Sequence, residues 1–254
     1  MPSPRSTSAL RLLWLDVLAI LAWGVLLLRF WLTGRINVLL HPDYVWLAIA
    51  AGIALVGLGG VKLMDVMQLT RSRRPLPQVL HINFFPPGWG SALMLAVAIF
   101  GLQFTPRAFA SQVALDRGVT DTLTMTRSQP QSFRANVRTE EKSLVDWVRT
   151  LNVYPEPDAY TGQSAKIEGF AIHTANLPDN YLTLARFVIT CCAADTYPVG
   201  LPIKLASSRT AYPQDQWFRV EGTMITETVG GMRQLVVQSK SLTKISEPKN
   251  PYDS

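Results

Sequence analysis

The chain has 254 residues, 48% of them hydrophobic, with a formal net charge of +6. That length allows one or two domains. Residues 1–104 carry 8 Lys/Arg against 3 acids, and the rest of the chain carries 16 against 15. The basic excess therefore lies in the half that also holds the long apolar runs, where it is a topology signal, and it argues against a nucleic-acid-binding surface.

Three apolar runs come first, at about Leu12–Leu32, Tyr44–Val61 and Gly88–Phe104. Each has roughly 17–21 residues, a length suited to a hydrocarbon core about 30 Å thick. Trp14, Trp31, Tyr44 and Trp89 near their ends fit an aromatic belt. These runs predict a three-span transmembrane domain over residues 1–104, with the lipid bilayer as its first partner. Lys62, Arg71, Arg73 and Arg74 between spans two and three, opposed by Asp65, outweigh Arg29, Arg35 and Asp43 around the first loop. By the positive-inside rule the basic loop is cytoplasmic, Arg5 and Arg11 keep the N-terminus inside, and the C-terminal domain is delivered to the outer side of the membrane. Arg107 and Arg117 beyond span three oppose this assignment.

Asp16 lies inside span one. An ionisable group at membrane depth is a functional candidate by default, while a carboxylate a turn from the interface can also reach water or Arg11. Ala108-Phe109-Ala110 has the A-x-A form of a signal-peptidase site, and equally that of an alanine-rich linker.

Residues 105–139 are expected to be a linker, with an extracytoplasmic domain over 140–254. Leu144, Trp147, Val148 and Leu151 follow helical spacing behind Thr139-Glu140-Glu141, which predicts a short amphipathic helix. Tyr154-Pro-Glu-Pro-Asp-Ala-Tyr160 ends it. Five strand-like runs follow, at about Ala165–His173, Leu182–Cys192, Gly200–Ala206, Trp217–Glu227 and Arg233–Leu242. Leu201, Ile203 and Leu205 alternate with Pro202 and Lys204; Phe218, Val220 and Met224 oppose Trp217, Arg219, Glu221 and Thr223. Gly230-Gly231 reads as a hairpin turn. Five short strands without long helices between them predict a mainly-β domain, best matched by a small OB-like barrel.

The two cysteines, Cys191 and Cys192, are adjacent. A bridge between them would be strained, because neighbouring Cα atoms lie only about 3.8 Å apart. On a regular strand their side chains face opposite ways, with Cys191 beside Phe187 and Ile189 and Cys192 outward with Thr190. A break in the strand would let both meet Asp195, and His173, at the end of the first strand, is a weaker fourth member of a site for a soft or borderline metal. Antiparallel neighbouring strands would place His173 at the opposite rim. The alternative is one packed cysteine, one half-exposed cysteine and a turn-forming Asp195. Nothing matches G-x-S-x-G, a glycine-rich phosphate loop or H-E-x-x-H, so no enzyme is expected.

His41-Pro42, the basic second loop, Arg186-Phe-Val-Ile-Thr-Cys-Cys-Ala-Ala-Asp195, Pro198-Val-Gly-Leu201 and the ending Pro248-Lys-Asn-Pro-Tyr252 together resemble the bacterial YcgQ-like permease-subunit family. The resemblance implies an accessory subunit of a separate multi-span permease related to arsenical efflux permeases, with no established substrate. The competing expectation is a membrane-anchored module that binds a metal or small ligand without any transporter. A thiol-redox enzyme is disfavoured, because thiol activation needs cationic or helix-terminal help.

Overall fold

A computed structural model describes residues 4–72, 86–119, 142–229 and 231–253. The chain divides into two compact units, Met1–Arg107 and Ala108–Ser254.

In the first unit α1 spans Pro4–Leu32, α2 Val45–Ser72 and α3 Trp89–Gln103. Gly34, at φ 71°, closes α1 in the left-handed region open to glycine. A short 3-10 turn at Pro42–Tyr44 starts α2, where the His41 ring accepts the Asp43 N–H at 3.1 Å. Two stretches, Leu10–Leu32 and Pro42–Arg71, are long and apolar enough to cross a membrane. The third predicted span is helical but has 15 residues, about 22 Å, short of the hydrocarbon thickness. The expected basic loop is also revised. Lys62, Asp65 and Arg71 lie within α2, because nothing between Val61 and Thr70 breaks a helix, and Arg73 and Arg74 fall outside the described residues.

These helices meet through small residues and polar side chains. A Cβ on Gly24 would come within 2.8 Å of Val56, and one on Gly59 within 2.5 Å of Leu21, so glycine sets the α1–α2 approach. Against α3, the Trp23 indole donates to the Met94 carbonyl at 3.0 Å and Arg29 to the Leu102 carbonyl at 3.1 Å. Ser91 donates to Asp16. Asp16 thus has a partner on α3. Val17, Leu26 and Ala98 are buried between the helices, but many apolar side chains point outward: Ile53 is 61% exposed, and Leu58, Leu93 and Phe100 lie open as well. Helices of a soluble core would hide these residues.

In the second unit α4 is Ser111–Asp116 and α5 Leu144–Val153. The strands are β1 Ser164–Ile172, β2 Tyr181–Val188, β3 Tyr197–Lys204, β4 Trp217–Val229, β5 Met232–Lys244 and β6 Tyr252–Asp253. Strands β1 to β5 close in the order β1-β2-β3-β5-β4-β1, with β3 and β5 parallel, and β6 adds to β2 in parallel. This is the expected OB-like barrel of five strands. Closure needs Gly169: β1 passes there from β4 to β2, and a Cβ would overlap the Ala185 carbonyl. Val229 pairs with Met232 across a two-residue turn, and Gly231 takes φ 81°.

The predicted amphipathic stripe is buried: Leu144, Trp147, Val148 and Leu151 pack into the barrel core with Ile167, Leu184, Ile203 and Val220. Its cap is Ser143, whose hydroxyl accepts the Asp146 N–H at 3.1 Å while Asp146 accepts the Ser143 N–H. The expected cap at Thr139-Glu140-Glu141 lies outside the described residues. Lys204 keeps its predicted outward face, where it meets Glu227 at 2.6 Å.

Three features depart from the sequence reading. Trp217 is buried rather than exposed, because Phe170 at 5.8 Å and the Arg186 guanidinium at 5.8 Å cover it from outside the barrel. The Phe109 ring joins the same outer aromatic layer, 5.5 Å from Phe187 and 6.1 Å from Tyr252. A cut after Ala110 would remove that ring. Part of the expected linker is folded too: Ala114 and Val119 are buried, and the Ser111 N–H donates to Asp215 at 2.6 Å. Residues 120–139 of it lie outside the described residues.

Candidate metal centre

Strand β2 ends at Val188, four residues before the predicted end at Cys192. Ile189 still donates its N–H to the Asp253 carbonyl at 3.0 Å, and the chain then leaves the sheet. Ala193–Asp195 forms a 3-10 turn, closed by the Asp195 N–H on the Cys192 carbonyl at 3.1 Å. The two cysteines therefore sit on a rim loop rather than on opposite faces of a strand. Cys191 is exposed, Cys192 half-buried, and both are free thiols with their sulfurs 3.6 Å apart.

Asp195 organises this loop. Its Oδ2 accepts the Cys191 N–H at 2.8 Å and the Thr190 hydroxyl, and its Oδ1 accepts the Cys192 N–H at 3.2 Å. Burial opposes ionisation, but these hydrogen bonds and one from the Cys191 thiol outweigh it and hold the carboxyl down to about 2. The carboxylate in turn favours a protonated neighbour. Its hydrogen bond to the Cys191 thiol, followed by the bond to Cys192, pushes that thiol up to about 11. Cys191 is consequently a poor nucleophile at neutral pH.

One ligand atom each from Cys191, Cys192 and Asp195 lies within 4.8 Å of the other two. His173 is not in the group. Its Nε2 is 2.8 Å from the Tyr212 carbonyl, an acceptor, which assigns the ring proton to that nitrogen. Ile172 pairs with Thr183, so His173 lies at the start of β2, and five residues of strand, roughly 17 Å, separate that level from Val188. The obstacle is the antiparallel register.

The loop is held from both sides. Before it, β6 adds to the end of β2 at Phe187 and Val188. After it, Arg117 donates to the Thr196 hydroxyl at 2.7 Å and to the Thr196 carbonyl, and stacks over Phe109 at 4.9 Å. Sequence reasoning missed Thr190, Arg117 and Asp253 as supports. Thr190 stands beside the cysteines, but the other two reach the loop from 79 and 64 positions away along the chain, where no local pattern points to them.

These features define the class: an OB-like domain with an exposed dithiol rim, joined to a unit of membrane-length apolar helices. The DUF1980 C-terminal domain model matches residues 120–253, more than half of the chain, and the chain belongs to that family. It is similar to the UPF0703 protein YcgQ of Bacillus subtilis (strain 168), at 24% identity over 131 residues. That match covers 50% of this chain and 46% of the relative, so it spans about half the relative's length. No solved structure matches the chain significantly.

Proposed function

We propose that this chain is a non-enzymatic, membrane-anchored accessory subunit of a multi-span permease, and that its OB-like barrel captures a thiophilic metal ion at the Cys191–Cys192–Asp195 rim. The observation that carries the metal reading is the proximity of two free thiols and an ionised carboxylate on a loop braced by a closed barrel. Thiolates favour soft and borderline ions, and an exposed rim lets an ion enter and leave. Anchoring rests on the open apolar surfaces of α1, α2 and α3, which suit lipid. Two full-length helices and one short one among the described residues do not themselves make a transport path of the inverted-repeat kind, and the resemblance to permease subunits supplies the partner. The barrel lies on the outer side of the inner membrane in this reading, with the N-terminus inside. No nucleic acid is involved.

The test is purification of the full chain from native membranes in mild detergent, with metal analysis and identification of co-purifying proteins. A co-purifying multi-span protein together with bound metal is the expected result. Metal without such a partner would replace the subunit reading with a tethered binding module. Alkaline-phosphatase fusions after Leu40, Arg74 and Ser254 check orientation, and an inactive, well-expressed fusion at Ser254 would overturn it.

A further inference from the structure

We infer that the rim is an open half-site: Cys191 and Cys192 supply two corners of a tetrahedral, thiophilic divalent ion of the Zn(II) or Cd(II) class, Asp195 positions them, and the remaining corners stay free for the molecule that takes the ion. This rests on the metal reading above.

The separation of the sulfurs suits a tetrahedral ion and argues against a linear one. With sulfurs 3.6 Å apart, an ion at the zinc–thiolate distance of ~2.3 Å from each would have an S–metal–S angle of about 100°, in the tetrahedral range. A linear two-coordinate ion would need its sulfurs roughly 4.6 Å apart at that bond length. Each thiol gives its proton to solvent as its metal bond forms, and no electrons change hands.

Asp195 is committed elsewhere. A carboxylate offers about four lone-pair positions. Three are taken by the Thr190 hydroxyl and the N–H groups of Cys191 and Cys192, and the Cys191 thiol, until it gives up its proton, bonds to the same carboxylate. Those bonds turn two adjacent residues so that both sulfurs lie together, which regular strand geometry forbids. His173 points its Nε2 at Tyr212 on another part of the barrel. Among the described residues this is the one group of three His, Cys, Asp or Glu side chains with metal-ligand spacing, and none of those residues adds a fourth ligand to it. Structural zinc sites are closed by four protein ligands, whereas sites that exchange or react keep positions open. Exposure of Cys191 agrees with an open site.

The experiment titrates the full chain in detergent with Cd(II) and Zn(II) under chelator competition and reads the metal shell by X-ray absorption. The wild type is expected to bind one ion per chain, with two sulfur and two light-atom neighbours, and to yield it readily to chelator. Cys191→Ser and Cys192→Ser should each lose most binding. Asp195→Asn and Thr190→Val should both keep the two-sulfur shell while weakening affinity by about tenfold, because both loosen the loop that holds the sulfurs together. A four-sulfur shell with one ion per two chains would overturn the open half-site. Loss of a light-atom neighbour in Asp195→Asn, with Thr190→Val unchanged, would make Asp195 a ligand and overturn its positioning role. If the wild type binds neither ion, the metal reading itself fails, and that outcome is distinct from the other two.

Discussion

The two units bury apolar side chains alike but expose different chemistries. In the barrel, Trp147, Ile167, Leu184 and Val220 are inside, and charged pairs such as Lys166–Glu221 lie on the surface. In the helical unit, Asp16, Trp23 and Arg29 point at α3 while Leu58, Leu93 and Phe100 face outward. One hydrophobic effect explains both only if the surroundings differ. Water drives apolar groups inward, whereas a hydrocarbon solvent removes that drive and makes unpaired polar groups the costly ones. The difference teaches that single exposed leucines mean little, whereas apolar side chains exposed along helices of membrane length point to a hydrocarbon solvent.

The largest expected effect tests the barrel side. Trp147 is fully buried, so Trp147→Ala should cost about 3–5 kcal/mol of domain stability. Urea denaturation of the full chain in detergent, followed through a barrel-specific probe, reads this. A loss under 1 kcal/mol would mean that α5 is not part of the core.

The helical side is tested by Leu58→Arg, near the middle of Pro42–Arg71 and exposed. In a bilayer this substitution should cost ~2.5–3.5 kcal/mol of insertion, whereas an exposed position in water should change stability by at most about 0.5 kcal/mol. A glycosylation-tagged insertion assay distinguishes these values. Unchanged insertion would remove the contrast between the two units.

The rim loop sharpens the comparison, because its polar groups are paired and yet face solvent. With Asp195 holding the Cys191 thiol at about 11, Asp195→Asn should return it toward about 8.5 and speed alkylation at pH 8 by one to two orders of magnitude. Mass spectrometry of iodoacetamide-labelled peptides reports the rate, and an unchanged rate would separate the thiol from the carboxylate. The sign for Asp195 itself is the usual carboxylate one. Its pKa is lowered to about 2, so its support of the loop is complete above about pH 4 and is lost as pH falls through about 2.

The smallest effect concerns the barrel surface. Lys204, and after it the Tyr181 hydroxyl at 2.7 Å, hold the Glu227 carboxyl below its ordinary range. Glu227→Gln should therefore cost about 1 kcal/mol at neutral pH. The difference from wild type should shrink in acid below the ordinary glutamate range, as the native carboxyl protonates. A cost that does not vary with pH would assign it to packing.

Several of these features are legible in the residues. Helical spacing at Leu144, Trp147, Val148 and Leu151 identified the face that α5 buries, because a 3.6-residue period survives any arrangement of neighbours. Alternation identified the core face of β3 for the same reason. Trp217 broke its own alternation, because the layer that covers it comes from Phe170 and Arg186 on other strands. Strand β2 ends four residues before the sequence predicts, because Thr190, Cys191 and Cys192 suit a strand locally, whereas the Asp195 carboxylate captures the Thr190 hydroxyl and the N–H groups of both cysteines.

By itself, then, the sequence determined what depends on neighbours along the chain: apolar helices of membrane length, an amphipathic helix, five strands and a cysteine pair beside an aspartate. The tertiary structure decided what depends on neighbours in space. Antiparallel pairing of Ile172 with Thr183 carried His173 away from the cysteines, and Asp195, Arg117 and β6 turned two adjacent thiols to one side of a braced loop. Local periodicity comes from backbone geometry that each residue carries with it. Register and loop bracing arise only when distant segments meet.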